Sequence, residues 1–443
     1  MNELLHEILA AREQRVQKQR QLLEQYATPL LCFTMNIPGP VKFDRDVSIG
    51  FHLGNWLLKE SLKGRKVLHF EASTAVTGCE AYYAVDMPAK ELKKLAVELE
   101  EIDPIGRLFD MDVLLPNGQK ISREELGYPR RKCLLCDQDA YLCAGRRTHS
   151  AEQLRRQAGF YLYIAAREYM CEYIATRAYF ALNQEVSTTP KPGLVDGNNT
   201  GAHKDMDIRH FFASANALRP YFCDCAEQGF LTRDLPGTET MAAIRPLGLE
   251  AEQTMRKATR GVNTHKGAIF SMGILCAALG RLSPDLWQPE RLLAECAAIA
   301  AGVADRDLAG ITPENAKTAG ERLYAMYGIT GVRGQAQAGF PAVRDTSLPV
   351  LRRGLEKGLS LNDAGAATLL HLIAATDDTN LIHRGGREKQ LQVKEQIAQM
   401  LKSDPFPPKE AIEALDKQFI LDDLSPGGSA DLLALTYFLF FLQ

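Results

Sequence analysis

Residues 3–26 read as a charged helix, closed by Thr28-Pro29 because proline disfavours helix at the residue before it. Short mixed segments follow at 30–42, 65–70, 81–87 and 109–115, and Pro116-Asn117-Gly118 after the last predicts a hairpin turn. This part reads as α+β. From about residue 153 the pattern changes: Cys171, Ile174, Ala175, Ala178 and Leu182 recur at helical spacing. Further helical stretches cover 291–303, 362–375, 389–402 and 429–442, and strand alternation nearly vanishes. The Gly/Pro-rich pieces at 189–197, 331–341 and 425–431 lie between these helices. The pattern predicts two domains, 1–150 and 151–443, with the boundary near Thr148–Gln153 and the second mostly all-α.

Composition narrows the function classes. The 443 residues carry a net charge of −3, and residues 1–150 hold 21 Lys+Arg against 21 Asp+Glu. No global basic field is present to hold nucleic acid. The longest apolar run, Leu432–Leu442, falls short of the roughly 20 residues of a membrane span, so it predicts a buried helix and no membrane partner. The N-terminus opens on mixed charge rather than an apolar leader, so a cytoplasmic chain with reduced thiols is expected despite ten Cys.

Three constellations stand out in the first domain. Asp110 and Asp112 alternate on a strand and so share a face, where two carboxylates can hold Mg²⁺ against a polyphosphate, with Arg107 as a phosphate ligand. The plainer reading is two solvated Asp on an exposed strand. Cys133, Cys136, Cys143 and His149 offer a tetrahedral zinc set of non-standard spacing; the alternative is reduced thiols in a helical hairpin. The loop Asn36–Lys42 is made rigid by Pro38 and Pro40 and presents Lys42, or is simply a structural turn.

The second domain is denser. Lys191 sits in PKPGLVD (190–196), and His203, Asp205 and Asp207 in GAHKDMD (201–207). Asn263, His265 and Lys266 lie in GVNTHKGAIF (261–270), where Gly, Asn and Thr ahead of a helix favour an anion. Asp377, Asp378 and Arg384 lie in DDTN-x-x-x-RGG (377–386), and SPGGSAD (425–431) opens the last helix. Each loop alone reads as a cap or turn. Together, Lys, Arg, Gly and paired Asp are what a magnesium–polyphosphate site demands. No P-loop motif occurs.

With SPGGSADLLA (425–434), these motifs resemble the triphosphoribosyl-dephospho-CoA synthase family. NIPGPVK (36–42), IGRLFDMDV (105–113) and CLLC-x6-C-x5-H (133–149) resemble the apo-citrate lyase phosphoribosyl-dephospho-CoA transferases. The resemblance implies a nucleotidyltransferase-like first domain fused to the synthase. It implies that ATP and 3′-dephospho-CoA react with loss of adenine. The prosthetic group is then attached to a serine of the citrate lyase acyl carrier (gamma) subunit with loss of pyrophosphate.

On that reading Asp110 and Asp112, and in the second domain Asp205, Asp207, Asp377 and Asp378, are candidates for Mg²⁺. Asp110, Asp112, His203, Asp205, His265 and Asp378 are the catalytic candidates. Lys42, Arg107, Lys191, Asn263, Lys266 and Arg384 are the substrate-binding ones. A competing reading keeps only the second domain catalytic and makes the first a carrier-docking module. A third makes 133–149 a nucleic-acid zinc module, against which the balanced charge argues.

Overall fold

The alternation at 109–114 produces the strand on which the first unit turns. A computed structural model describes residues 2–102 and 104–442, with residues 2–6, 8 and 9 described by backbone alone. In it the chain divides into two units, one running up to Met170 with Ser283–Asp285, the other Cys171–Leu282 with Leu286–Gln443.

Unit 1 contains α1 (Asn2–Tyr26), β1 (Leu30–Met35), α2 (Arg45–Ser61), β2 (Lys66–Ala75), β3 (Gly78–Asp86) and α3 (Ala89–Glu100). It continues with β4 (Phe109–Leu114), β5 (Lys120–Ile121), α4 (Ala140–Gly145) and α5 (Ala151–Ala165). The strands form one sheet in the order β2-β3-β1-β4-β5, every pair antiparallel. Phe109, Met111 and Val113 bury on one face with Phe33, Phe51, Leu58 and Tyr83. Leu22 and Leu23 of α1 cover the other face with Leu30, Cys32, Tyr82 and Leu114. Alternation therefore sends Asp110 and Asp112 to the α1 face, opposite Thr34 and Cys32 of β1.

Strand β5 pairs only with Val113 and Leu114, which leaves the outer edge of β4 open at its start. Charged side chains satisfy that edge instead. Arg131 donates to Phe109 O (2.6 Å), Lys93 donates to Met111 O (2.8 Å), and Glu100 accepts from Met111 N (2.8 Å). Buried backbone groups require such partners.

The helical change near residue 150 is real, but its first helix turns back into unit 1. Ser150 caps α5 through a capping box with Gln153. The helix then packs on α2, so closely that a Cβ on Gly50 would lie 2.6 Å from Leu162. The division accordingly follows Met170 rather than residue 150.

Unit 2 is helical throughout its described residues. It runs α6 (Cys171–Ser187), α7 (Ile208–Leu231), α8 (Gly237–Ala258), α9 (Lys266–Arg281), α10 (Pro289–Ile299), α11 (Val303–Leu308) and α12 (Ala319–Tyr327). It ends with α13 (Gly331–Gln337), α14 (Leu348–Glu356), α15 (Leu361–Ala375), α16 (Thr379–Ser403), α17 (Lys409–Leu421) and α18 (Gly427–Phe441). Helices α7 and α9 touch backbone to backbone: a Cβ on Gly229 would meet Ala277 O at 2.0 Å, and one on Gly280 would meet Ala226 O at 2.0 Å. The apolar run at the end forms α18, with Leu432–Leu439 buried. No described helix is long and apolar enough to cross a membrane.

Candidate functional sites in the two units

In unit 2 the N-termini of α9, α16 and α18 open onto one cleft of about 1040 Å³, together with the loop after α6 and residues 318–335. Three helix starts turn their positive dipole ends toward the cleft, which favours an anion there. Arg256, Lys266, Arg333, Arg384, Arg387 and Lys394 add charge to the lining. The cleft gathers Lys191, His203, Asn263, His265, Lys266, Asp377, Asp378 and Arg384.

The structure changes several roles expected of them. Lys191 is no free cation: its side chain is 1% exposed and its ammonium is paired with Glu185. Asp378 caps α16, accepting from Asn380 N (3.0 Å) and Leu381 N (3.2 Å), and its other oxygen accepts from Ser429 N (2.7 Å) and Oγ (2.9 Å) of α18. Four donors fill the carboxylate, which is a clamp between two helix starts rather than an open metal ligand. Asp377 is held by Arg387 (2.9 Å) and Lys394 (3.1 Å), which keep its carboxyl below the ordinary range against the effect of burial. Asp207 lies outside the cleft lining and caps α7, accepting from Arg209 N and His210 N. Asp205 also lies outside it, exposed, 4.0 Å from His203. Neither carboxylate of the expected Asp205/Asp207 pair lines the cleft.

His203 meets Ser425 Oγ at 2.8 Å and Arg384 at 3.3 Å; burial, then the guanidinium, lowers its pKa. His265 is 3% exposed, with Nδ1 2.7 Å from Ser214 Oγ and Nε2 without a hydrogen-bond partner. Burial, then the Lys191 charge, drives its pKa down to about 3, so the ring is neutral at physiological pH. Lys266 reaches Glu252 at 2.9 Å. Arg384 binds Asp423 at 2.8 Å, while Asn263 stands exposed at the rim.

Glu185 and Asp431 line the same cleft and were missed as chemistry. Burial raises the pKa of both; at Asp431 the neighbouring charges of Glu185 and Asp378 raise it further, well above the ordinary range. Asp431 lay inside the SPGGSAD motif, but its carboxylate neighbours are distant in sequence.

In unit 1 Asp110 and Asp112 do share a face, and they line a second cleft of about 750 Å³ with Lys93, Glu100, Lys120, Arg123, Arg130 and Arg131. Lys120 pairs with Asp112 at 2.6 Å, and Arg131 stands 3.7 Å from Asp110. Arg107 is not part of this cleft. The turn Ile105–Leu108 aims it at the carbonyls of Lys132 and Cys133. Lys42 is elsewhere too, donating to Ile37 O at 2.6 Å.

Cys133, Cys136, Cys143 and His149 come together beside that cleft, their ligand atoms within 4.8 Å of one another. Cys143 Sγ is 3.4 Å from Cys133 Sγ, and His149 Nε2 is 3.3 Å from Cys136 Sγ. The N–H groups of Leu135 and Cys136 donate to Cys133 Sγ.

The comparisons with known proteins divide the chain between two families. The apo-citrate lyase phosphoribosyl-dephospho-CoA transferase family matches residues 3–161, and the ATP:dephospho-CoA triphosphoribosyl transferase family matches residues 171–443. Protein CitXG of Haemophilus influenzae is 37% identical over 98% of this chain and 95% of its own. Protein CitXG of Leuconostoc mesenteroides subsp. cremoris is 34% identical over 98% of this chain and 96% of its own. A probable 2-(5''-triphosphoribosyl)-3'-dephosphocoenzyme-A synthase of Vibrio cholerae is 43% identical over 59% of this chain and 86% of its own. The chain belongs to the family of bifunctional transferases that join an apo-citrate lyase phosphoribosyl-dephospho-CoA transferase to an ATP:dephospho-CoA triphosphoribosyl transferase.

Proposed function

We propose that unit 2 makes the citrate lyase prosthetic group from ATP and 3′-dephospho-CoA and that unit 1 attaches it to a serine of the acyl carrier subunit. The observation that carries this is a separate charged cleft in each unit, each within the residues matched by one of the two families.

In unit 2 a ribose hydroxyl of dephospho-CoA forms a bond to C1′ of the ATP ribose as the bond to adenine breaks. The hydroxyl proton passes by way of a carboxylate to the departing adenine, which leaves as the neutral base. Asp431 is the cleft carboxylate offered for that transfer, its pKa raised by burial and by the charges of Glu185 and Asp378. His265, held neutral, donates or accepts a hydrogen bond without adding charge. Lys266 and Arg384 hold the triphosphate, with the positive dipole ends of the helices facing it. Asp207 and Asp378 spend their oxygens on helix N–H groups and so offer magnesium no open place.

In unit 1 the serine oxygen attacks the α-phosphorus, pyrophosphate leaves, and the serine proton passes to solvent through Asp110. Asp110 and Asp112 face the cleft from one strand and fit a magnesium ion, which would neutralise phosphate oxygens. Arg131, Arg130 and Lys120 supply the remaining positive charge. Paired carboxylates on a strand of an antiparallel sheet support the nucleotidyltransferase-like reading. The Cys/His cluster fits zinc: tetrahedral zinc with sulfur at about 2.3 Å places ligand sulfurs roughly 3.8 Å apart.

Incubation with ATP, dephospho-CoA, Mg²⁺ and apo-carrier tests both steps. The expected result is free adenine and a carrier heavier by the prosthetic group. Adenine release without any mass gain, with active carrier and preformed precursor supplied, would remove the unit 1 assignment.

A further inference from the structure

The cysteines are interleaved with residues that wall the unit 1 cleft. Arg131 precedes Cys133 by two residues, and Tyr141 precedes Cys143 by two; Arg130, Arg131, Asp139, Ala140 and Tyr141 all line the cleft. The two arms are laced to each other: Ala140 N donates to Arg131 O (2.8 Å), Cys133 N to Gln138 O (2.8 Å), and Lys132 pairs with Asp139 (3.0 Å). They are anchored on the sheet by Arg131, whose guanidinium reaches Phe109 O, and by Arg107, which donates to Cys133 O. No strand of the sheet extends into 128–149, and its one regular helix among the described residues is α4, six residues long. So short a segment has little core of its own to hold it. Cys133 and Cys143 are its buried points, and they touch each other.

Resting on the unit 1 reading above, we propose that a metal ion bound by Cys133, Cys136, Cys143 and His149 fixes the position of Arg131 and Tyr141, so that metal occupancy sets how well unit 1 binds its polyphosphate substrate. The metal lies in no reacting bond. It acts on the cleft through Arg131, which reaches both β4 and Asp110. Arg131 is thereby a positioning and phosphate-binding residue of the cleft, in the role the sequence suggested for Arg107.

The test uses the full-length protein. Purified wild type is expected to carry one zinc per chain, read by elemental analysis and by release to a chromogenic chelator. Cys143→Ser is expected to lose it. Metal removal by chelation is expected to raise the KM for preformed prosthetic-group precursor about tenfold or more with a smaller change in kcat, as for lost ground-state binding. It is also expected to speed tryptic cleavage after Arg130 and Arg131, and both effects should reverse on adding Zn²⁺. In Arg131→Ala, chelation is expected to change KM by less than about twofold, because coupled groups are not additive. Adenine release from ATP reports that the rest of the chain remains folded in every sample.

Metal-free protein with wild-type KM and wild-type protease resistance would overturn the proposal. So would full additivity of chelation and Arg131→Ala, or wild-type zinc in Cys143→Ser. Failure of zinc-loaded wild type to load any carrier would instead overturn the unit 1 reading.

Discussion

Lys191 and Glu185 form an ion pair with 1% and 5% of their side chains exposed, beneath the cleft of unit 2. A buried pair owes little net stability to its attraction, since both charges lose their hydration; removing one partner leaves the other desolvated and alone. Lys191→Met is expected to destabilise unit 2 by about 3–5 kcal/mol. Lys191→Met combined with Glu185→Leu is expected to recover part of that loss. Denaturant unfolding of the two variants checks it; equal stability would mean that water reaches the single charge.

Asp378 separates capping from catalysis. Asp378→Asn keeps an acceptor for one helix start but turns an amide N–H toward a Ser429 donor. The expected cost is about 1–3 kcal/mol of stability, the penalty of an unmet buried polar group. The Mg²⁺ dependence of adenine release should stay where it is. A shift of that dependence to higher Mg²⁺ at unchanged stability would make Asp378 a metal ligand after all.

Asp431 carries the sharper functional expectation. Asp431→Asn should lower the kcat of adenine release on the order of 10²-fold, about 2.7 kcal/mol of barrier. Its pKa is raised in the folded chain, so the folded state holds the proton more tightly than the unfolded one. Wild-type stability from this group is therefore greatest below the ordinary carboxylate range and falls as pH rises toward the raised value. Asp431→Asn should flatten that fall. Melting curves between pH 4 and 8 and a pH–rate profile check both; a wild-type profile in the variant excludes proton transfer by Asp431.

His265 behaves in the opposite sense. With a folded pKa of about 3 against about 6.5 unfolded, it costs stability as pH drops through that window. His265→Gln should lessen the loss of stability between about pH 6.5 and 3, while wild-type adenine release should show no rate limb from this ring above pH 4. An imidazole NMR titration near 6.5 would contradict the burial argument.

In unit 1, Asp110→Asn and Asp112→Asn should each reduce carrier loading by roughly 10²-fold and leave adenine release intact. Arg131→Ala should raise the KM for the precursor more than Arg107→Ala does. Equal effects of the two Arg changes would undo the distinction between them.

The pairing of Asp110 with Asp112 was legible because a period of two needs no knowledge of the rest of the fold. The helical character of residues after 171 was legible for the same reason at a period of 3.6. What was hidden depended on where chain segments meet. Arg107 and Arg131 are equivalent as letters; a turn at 105–108 sends one to a backbone carbonyl and leaves the other in the cleft. Asp207 and Asp378 looked like ligands, yet each begins a helix, and a carboxylate at that position spends its oxygens on N–H groups. Asp431 could be singled out only with Glu185 and Asp378 beside it, partners 246 and 53 positions away. The boundary moved because periodicity marks where a helix starts, not which core receives it.

The charged groups along the outer edge of β4 have an effect beyond the reaction. An open strand edge is a template for another copy of the same chain, and proteins that keep one exposed risk joining sheet to sheet. Lys93, Glu100 and Arg131 already use the edge groups of Phe109 and Met111. A new strand arriving there would have to displace three ionic side chains before making its first hydrogen bond. Truncating these residues together would therefore create a self-association hazard, visible as concentration-dependent light scattering in a chain that still folds.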